Sequence, residues 1–112
     1  MTATTYFSIE STDITSELLP DTEATSDNIV SLAQRIEYDV MHRLGLSAAP
    51  TGTVDLQALK RAIILLTAAD LESRDPYSYQ EGSMSIQKTS RFEWKSEAEQ
   101  IIRRFERYIR KT

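Results

Sequence analysis

The chain has 112 residues and a mass of 12.8 kDa, which is enough for one domain with a small hydrophobic core. It contains no cysteine and one histidine, so disulfide scaffolds, cysteine nucleophiles and multi-histidine zinc sites are excluded. Its longest strongly apolar run, Ala62–Ala69, is far shorter than the roughly 20 residues that a membrane span needs. The first residues lack the basic start and continuous apolar stretch of a signal peptide. We therefore expect a protein that is made and used in a reducing compartment, with no membrane partner.

Charge is distributed unevenly along the chain. Residues 1–90 carry 13 acidic and 6 basic side chains, whereas residues 91–112 carry 4 acidic and 7 basic side chains. The body therefore has a net charge of −7 and the C-terminal segment a net charge of +3. Two surfaces of opposite sign suit contacts between a protein and a partner of complementary charge, although solvated helix faces would produce the same counts.

The spacing of apolar residues predicts three main helices and one short helix before Pro20. The first main helix runs from about Asp27 to Leu44, with Thr25 or Ser26 as its cap and Gly45 as its left-handed exit.

The second main helix begins at a capping Thr53 and ends at about Ser73 or Arg74. It is apolar almost all round, which predicts a central element covered by the other helices or by a neighbouring subunit. The third, with the clearest amphipathic pattern, spans about Phe92–Arg110. The predicted core of the three helices consists of Ile36, Val40, Leu59, Ile63, Leu66, Ile101 and Phe105.

Between the last two helices, residues 76–90 alternate apolar and polar side chains around a turn at Gly82, which indicates a β-hairpin or a long extended loop. An isolated hairpin needs a surface to pack on, so we expect an arm that contacts a neighbouring subunit. Its contact residues are Pro76, Tyr77, Tyr79, Gly82, Met84 and Ile86. The predicted fold is thus mostly α: one domain, 1–112, a small bundle of three main helices and a short N-terminal helix, with an extended arm at 76–90 and a basic C-terminal helix at 91–112.

Sequence motifs for catalysis are absent. No stretch matches a P-loop, a GxGxxG turn or a GxSxG elbow, and a lone His42 late in an amphipathic helix is more typical of a residue near the helix C-terminal dipole. The acidic series Glu10, Asp13, Glu17 and Asp21 lacks the spacing of a calcium loop. We therefore expect no enzyme activity, no cofactor and no metal site.

The order of elements, together with several segments, resembles the head–tail connector (adaptor or neck) proteins of tailed viruses of bacteria and archaea. The segments that carry the resemblance are Leu59–Leu66, Ala68–Leu71, Arg74–Tyr79 and Gly82–Ile86. The resemblance implies a structural virion protein whose copies form a ring, usually of twelve, between the capsid portal and the tail. Such a ring extends the channel for double-stranded DNA and provides a platform for the tail or a second neck protein. The implied location is the virion neck, and the host cytoplasm during assembly.

The resemblance also implies that residues 76–90 embrace an adjacent subunit and that the C-terminal segment contacts the portal. The candidate portal or subunit contacts are Trp94, Arg103, Arg104, Arg107, Tyr108 and Arg110. A channel that lets DNA slide should be acidic or neutral, because basic residues would grip phosphates. The candidate lumen residues are Glu10, Asp13, Glu17, Asp21, Glu23, Glu37 and Asp39.

Two alternatives remain open from the residues themselves. One is a small helical regulator or adaptor that binds a single protein partner. The other is a DNA-binding regulator that uses the C-terminal arginines, although these are interleaved with glutamates and the sequence pI of about 5.0 differs from the basic value of such modules.

Overall fold

The computed structural model describes the backbone of residues 2–20, 22–74 and 84–111, and the side chains of 2–20, 22–73 and 92–107. Within these ranges the chain forms four helices: α1 (Ser11–Thr15), α2 (Ser26–Leu44), α3 (Thr53–Arg74) and α4 (Met84–Lys111). The same ranges contain no β-strand, only an isolated antiparallel bridge between Ala3 and Glu10. The prediction of a small, mostly α bundle with a short N-terminal helix is confirmed.

The ends of α2 follow from local backbone chemistry. The Thr25 hydroxyl accepts a hydrogen bond from the Asn28 amide at 3.2 Å, so one of the free N–H groups of the first turn is satisfied. At the other end Gly45 has a φ of 70°, and the Leu46 amide donates to the Met41 carbonyl at 2.9 Å. This left-handed exit ends the helix at Leu44, as the sequence predicts.

Helix α3 is the central element and packs against α1, α2 and α4. Its first backbone hydrogen bond runs from the Leu56 amide to the Gly52 carbonyl at 2.9 Å, so Gly52, rather than Thr53, occupies the cap position. The residues of α3 that are buried cover most of its circumference: Leu59, Ala62, Ile63, Leu65, Thr67, Ala68, Ala69, Leu71 and Glu72. Other elements of the same chain therefore provide much of the cover that its apolar pattern requires.

Helix α4 begins earlier than the sequence analysis predicts. Residues 84–90 are helical, so the assignment of Met84 and Ile86 to an extended arm is wrong. No glycine or proline follows Gly82, and Met, Gln, Lys and Arg are good helix formers, so the last helix extends back toward that glycine. The remaining predicted arm residues, Pro76, Tyr77, Tyr79 and Gly82, lie outside the described residues.

Helices α3 and α4 pack along each other. Arg61 lies 13 residues before the end of α3 and Glu97 lies 13 residues after the start of α4, and their side chains are joined by a 3.1 Å ion pair. Helix α4 has 28 residues and α3 has 22, so at 1.5 Å per residue α4 is longer than α3 by about 9 Å. In the part of the chain that is described, no helix has the length and apolarity needed to cross a bilayer.

The core lies between the three main helices and the N-terminal segment. Of the predicted core residues, Leu59 and Ile63 are completely buried and Val40 is nearly so. The other four are only partly covered and pack against the core from its edge: Ile36, Leu66, Ile101 and Phe105. The N-terminal residues Phe7 and Ile9 insert into the same core, which the sequence analysis did not predict.

Candidate interaction surfaces

A buried carboxylate on α2 holds the N-terminal segment. Glu37 Oε1 accepts hydrogen bonds from the Tyr6 amide at 2.9 Å and from Gln34 Nε2 at 3.1 Å, and its Oε2 accepts one from the Phe7 amide at 3.1 Å. The Gln34 side-chain oxygen in turn accepts hydrogen bonds from the amide and hydroxyl of Thr5, at 2.8 and 3.0 Å. Two side chains one helical turn apart therefore bind three successive backbone amides.

This arrangement corrects one prediction. Glu37 has no solvent-exposed surface, so it cannot line a DNA channel. A signal for its burial is present in the sequence, because Glu37 follows Ala33 by four residues and precedes Val40 by three, which places it on the apolar stripe of α2. Gln34 is three positions away, but the two backbone partners of Glu37, the amides of Tyr6 and Phe7, lie 31 and 30 positions away in the sequence, and no local pattern identifies them.

The other candidate lumen residues have different surroundings. Glu10, Glu17, Glu23 and Asp39 are exposed. Asp13 is partly covered, and its Oδ2 accepts the Glu10 amide in the capping box of α1. Asp21 lies outside the described residues.

The N-terminal segment also brings two tyrosines together at the surface. The ring centroids of Tyr6 and Tyr38 lie 6.1 Å apart in an edge-on arrangement. Both rings stay partly open to solvent, with exposed fractions of 39% and 50%. The hydrogen bond from the Tyr6 amide to Glu37 fixes the backbone that carries the first of these rings.

A network of ion pairs joins the end of α2 to α4. The Arg43 guanidinium donates two hydrogen bonds to the Glu99 carboxylate, at 2.7 and 3.0 Å, and a third to Glu106 at 2.7 Å. These hydrogen bonds, first of all that with Glu99, raise the pKa of Arg43. The same contact lowers the pKa of Glu99 below its usual value, against the opposing effect of burial.

A second, more exposed group of ion pairs surrounds Arg61 on α3. Arg61 contacts Glu97 of α4 at 3.1 Å and Glu17 of the N-terminal segment at 3.8 Å. Exposed pairs of this kind contribute little to stability. The Arg61–Glu97 pair shows which part of α3 lies beside the middle of α4, where the acidic side chains of Glu97 and Glu99 are located.

The C-terminal half of α4 is basic at the surface. Arg103, Arg104 and Arg107 are exposed. Arg103 contacts Glu99 at 3.5 Å. Trp94, which the sequence analysis grouped with these arginines, is partly buried and packs on the core.

The remaining two predicted contacts, Tyr108 and Arg110, belong to α4, but their side chains lie outside the described residues. Among the residues that are described, no group of three or more potential ligands could hold a metal ion, and His42 is exposed in the last turn of α2. The described surface thus offers charged and aromatic contact groups. Comparison of the chain with protein-family models, with curated proteins and with solved structures finds no match.

Proposed function

We propose that this chain is a structural protein of a tailed virus whose copies form a ring between the capsid portal and the tail. The ring extends the DNA channel and serves as a docking platform for the tail or a second neck protein. Its partners are other copies of the chain, the portal and the next component of the neck. The proposal starts from the resemblance in element order and sequence segments.

The observation that carries the proposal is a cluster of exposed arginines at one end of a helical bundle. Arg103, Arg104 and Arg107 are exposed close together near the end of α4. Elsewhere on the described surface, exposed carboxylates are interspersed with the exposed basic side chains of Arg35, Arg43, Arg61 and Lys95. A basic cluster at one end of a copy suits contact with carboxylates of the next copy, and contacts between different regions form a ring when the rotation between copies closes.

The first test is the mass of the assembled protein. Analytical ultracentrifugation and electron microscopy of the purified chain, alone and mixed with candidate portal and neck proteins, should show ring particles. A ring of twelve 12.8-kDa chains would have a mass of about 154 kDa. If the chain and its candidate partners form no assembly larger than a pair of subunits, the connector function is contradicted.

The second test separates this proposal from a DNA-binding regulator. The exposed arginines of α4 favour that alternative, because they could bind DNA phosphates. A DNA conduit should bind duplex DNA weakly, with a Kd in the range of roughly 10⁻⁴–10⁻⁶ M that is typical of non-specific binding at physiological salt. Fluorescence anisotropy with duplexes of unrelated sequence measures this directly. Nanomolar binding that depends on the sequence of the duplex would favour the regulator.

A further inference from the structure

The outer side of α4 carries a regular stripe of exposed polar residues. Glu93, Glu97, Gln100, Arg104 and Arg107 follow one another at intervals of four, three, four and three residues, and all five are exposed. At 3.6 residues per turn these positions fall within an arc of about 80° and extend over about 21 Å of the helix axis. Helices that pair in coiled coils contact each other through apolar residues at the same spacing; here the residues are polar, so a second helix laid along this face would be held by charge.

The order of charges along this stripe makes it complementary to itself. Its first two residues, Glu93 and Glu97, are acidic, and its last two, Arg104 and Arg107, are basic, with Gln100 at the midpoint. If a second α4 is laid antiparallel on the first about a two-fold axis at Gln100, each glutamate faces an arginine of the other copy. The pairs are Glu93 with Arg107 and Glu97 with Arg104, and each pair occurs twice because the contact is symmetric.

An exposed aromatic ring lies at the edge of the same stripe. Phe92 is 76% exposed, although phenylalanine is normally well covered in a folded domain. Phe92 lies about 60° around the helix from the Arg107 position, on the same side of the stripe, so in the antiparallel arrangement its ring flanks the contact within reach of the long Arg107 side chain of the second copy. A guanidinium that packs on an aromatic face gains a cation–π contact, and the arginine stem covers apolar surface.

The two outer members of the stripe are available for such a contact. Neither Glu93 nor Arg107 forms an ion pair with another described side chain. Glu97 is engaged with Arg61 of its own chain but keeps half of its side chain exposed. A shallow depression lined by Phe92, Glu93, Ser96, Glu97 and Gln100 leaves room along the acidic half for the long arginine side chains of a second helix.

We infer that the outer face of α4 is a self-association surface, on which two copies of this chain pair antiparallel about a two-fold axis through Gln100. The contact differs in symmetry from the head-to-tail contacts of the proposed ring, and because both would use Arg104 and Arg107, one copy cannot form the two contacts through these side chains at once. Because one helix pair forms a small interface, the dimer is weak and sensitive to salt.

Charge reversal tests the pairing with matched variants. In Glu93→Arg the symmetric pairs become arginine facing arginine, and in Arg107→Glu they become glutamate facing glutamate. Each variant should therefore dimerise at least about tenfold more weakly than the wild type, since every reversal acts at two symmetric positions. The double variant E93R/R107E restores opposite charges at both positions and should recover dimerisation. An equimolar mixture of the two single variants should form a heterodimer for the same reason.

The readout is sedimentation velocity over a concentration series, at low salt and at high salt. The dimer would have a mass of about 26 kDa, twice the 12.8 kDa of the chain, which distinguishes it from a ring. Lys95→Glu is the control, because Lys95 is exposed on another side of α4 and its reversal changes the net charge as much as Arg107→Glu. Circular dichroism checks that each variant is folded.

Recovery of the dimer in the double variant and in the mixture, with no effect of Lys95→Glu, supports the pairing. A wild-type chain that stays monomeric at low salt, or a dimer that the reversals leave unchanged, overturns it. A chain that forms rings but no two-fold dimer would overturn this inference and leave the proposed function standing. If the double variant restores the dimer but no larger assembly forms, this inference is supported and the proposed ring function is contradicted.

Discussion

Removal of the Glu37 carboxylate is the substitution that best tests how the N-terminal segment is held. Glu37→Ala deletes both acceptor oxygens, so the amides of Tyr6 and Phe7 and the side-chain amide of Gln34 lose a partner. The hydrogen bond from the Phe7 amide to Glu37 is buried, so water replaces the lost acceptor poorly there. The hydrogen bond from the Tyr6 amide is only partly buried, so water replaces its acceptor better.

The magnitude follows from the cost of buried donors without acceptors. Each such group costs about 1–3 kcal/mol, and Phe7 and Ile9 can leave the core if the segment detaches. We expect Glu37→Ala to lower the free energy of unfolding by about 3–5 kcal/mol, a large part of the roughly 5–15 kcal/mol of a typical domain. Glu37→Gln keeps the shape but places an amide donor against a backbone donor, so it should cost about 1–3 kcal/mol.

Urea unfolding followed by circular dichroism measures the loss, and hydrogen exchange at the Tyr6 and Phe7 amides locates it. Asp39→Ala is the control, because Asp39 lies on the same helix and is exposed; it should change stability by less than about 0.5 kcal/mol. If the free energies of unfolding of Glu37→Ala and Asp39→Ala differ by less than about 0.5 kcal/mol, the Glu37 carboxylate does not hold the N-terminal segment and the reasoning is refuted.

Four further substitutions test the core, a helix end and an ion pair. Ile63→Ala should cost about 2–5 kcal/mol in urea unfolding because Ile63 is completely buried, and Leu66→Ala about half as much because Leu66 is only partly buried. Gly45→Ala should cost about 1 kcal/mol by the same assay, since its φ of 70° disfavours a side chain although nothing lies within 4 Å of the added Cβ. Arg43→Gln should cost about 0.5–1 kcal/mol at neutral pH, because both partners are 39% exposed and solvent screens the pair. The pKa of Glu99 is lowered in the folded state, so the stabilisation by the Arg43–Glu99 pair is fully present above the usual carboxyl value of 4.5. This stabilisation is lost as the pH falls through the lowered pKa. The difference in stability between wild type and Arg43→Gln should therefore shrink below about pH 4.5.

Controls for these substitutions lie on the same helices. Arg35→Gln removes an exposed cation of α2 and is the control for Arg43→Gln. If the free energy of unfolding of the two variants depends on pH in the same way, the ion pair between Arg43 and Glu99 contributes nothing to stability. A cost below about 0.5 kcal/mol for Ile63→Ala would contradict the burial of that side chain. For Gly45→Ala, an unchanged stability would mean that the left-handed backbone is not required at the end of α2.

The ends of α2 and the apolar character of α3 could be predicted from the sequence. A threonine cap, a glycine exit and the spacing of apolar side chains act within a few residues of one another, so the sequence contains all the groups involved. The predicted start of α4 is wrong because the local pattern there fits two structures equally well. Met84 and Ile86 alternate with polar residues as they would in a strand, but over so short a stretch the same residues also fit a helix.

The position of Glu37 and the pairing of Arg43 with Glu99 were decided by the tertiary structure. A charged residue on an apolar stripe can be buried only if donors from elsewhere in the chain reach it, and here these donors are backbone amides of the N-terminal segment. Every residue except proline has a backbone N–H, so no sequence pattern marks the two, Tyr6 and Phe7, that bind Glu37. Likewise Arg43 and Glu99 are 56 positions apart, and they meet only because α2 and α4 pack on the same central helix. The sequence determines which segments are helical, whereas the packing of those segments determines which polar groups become partners.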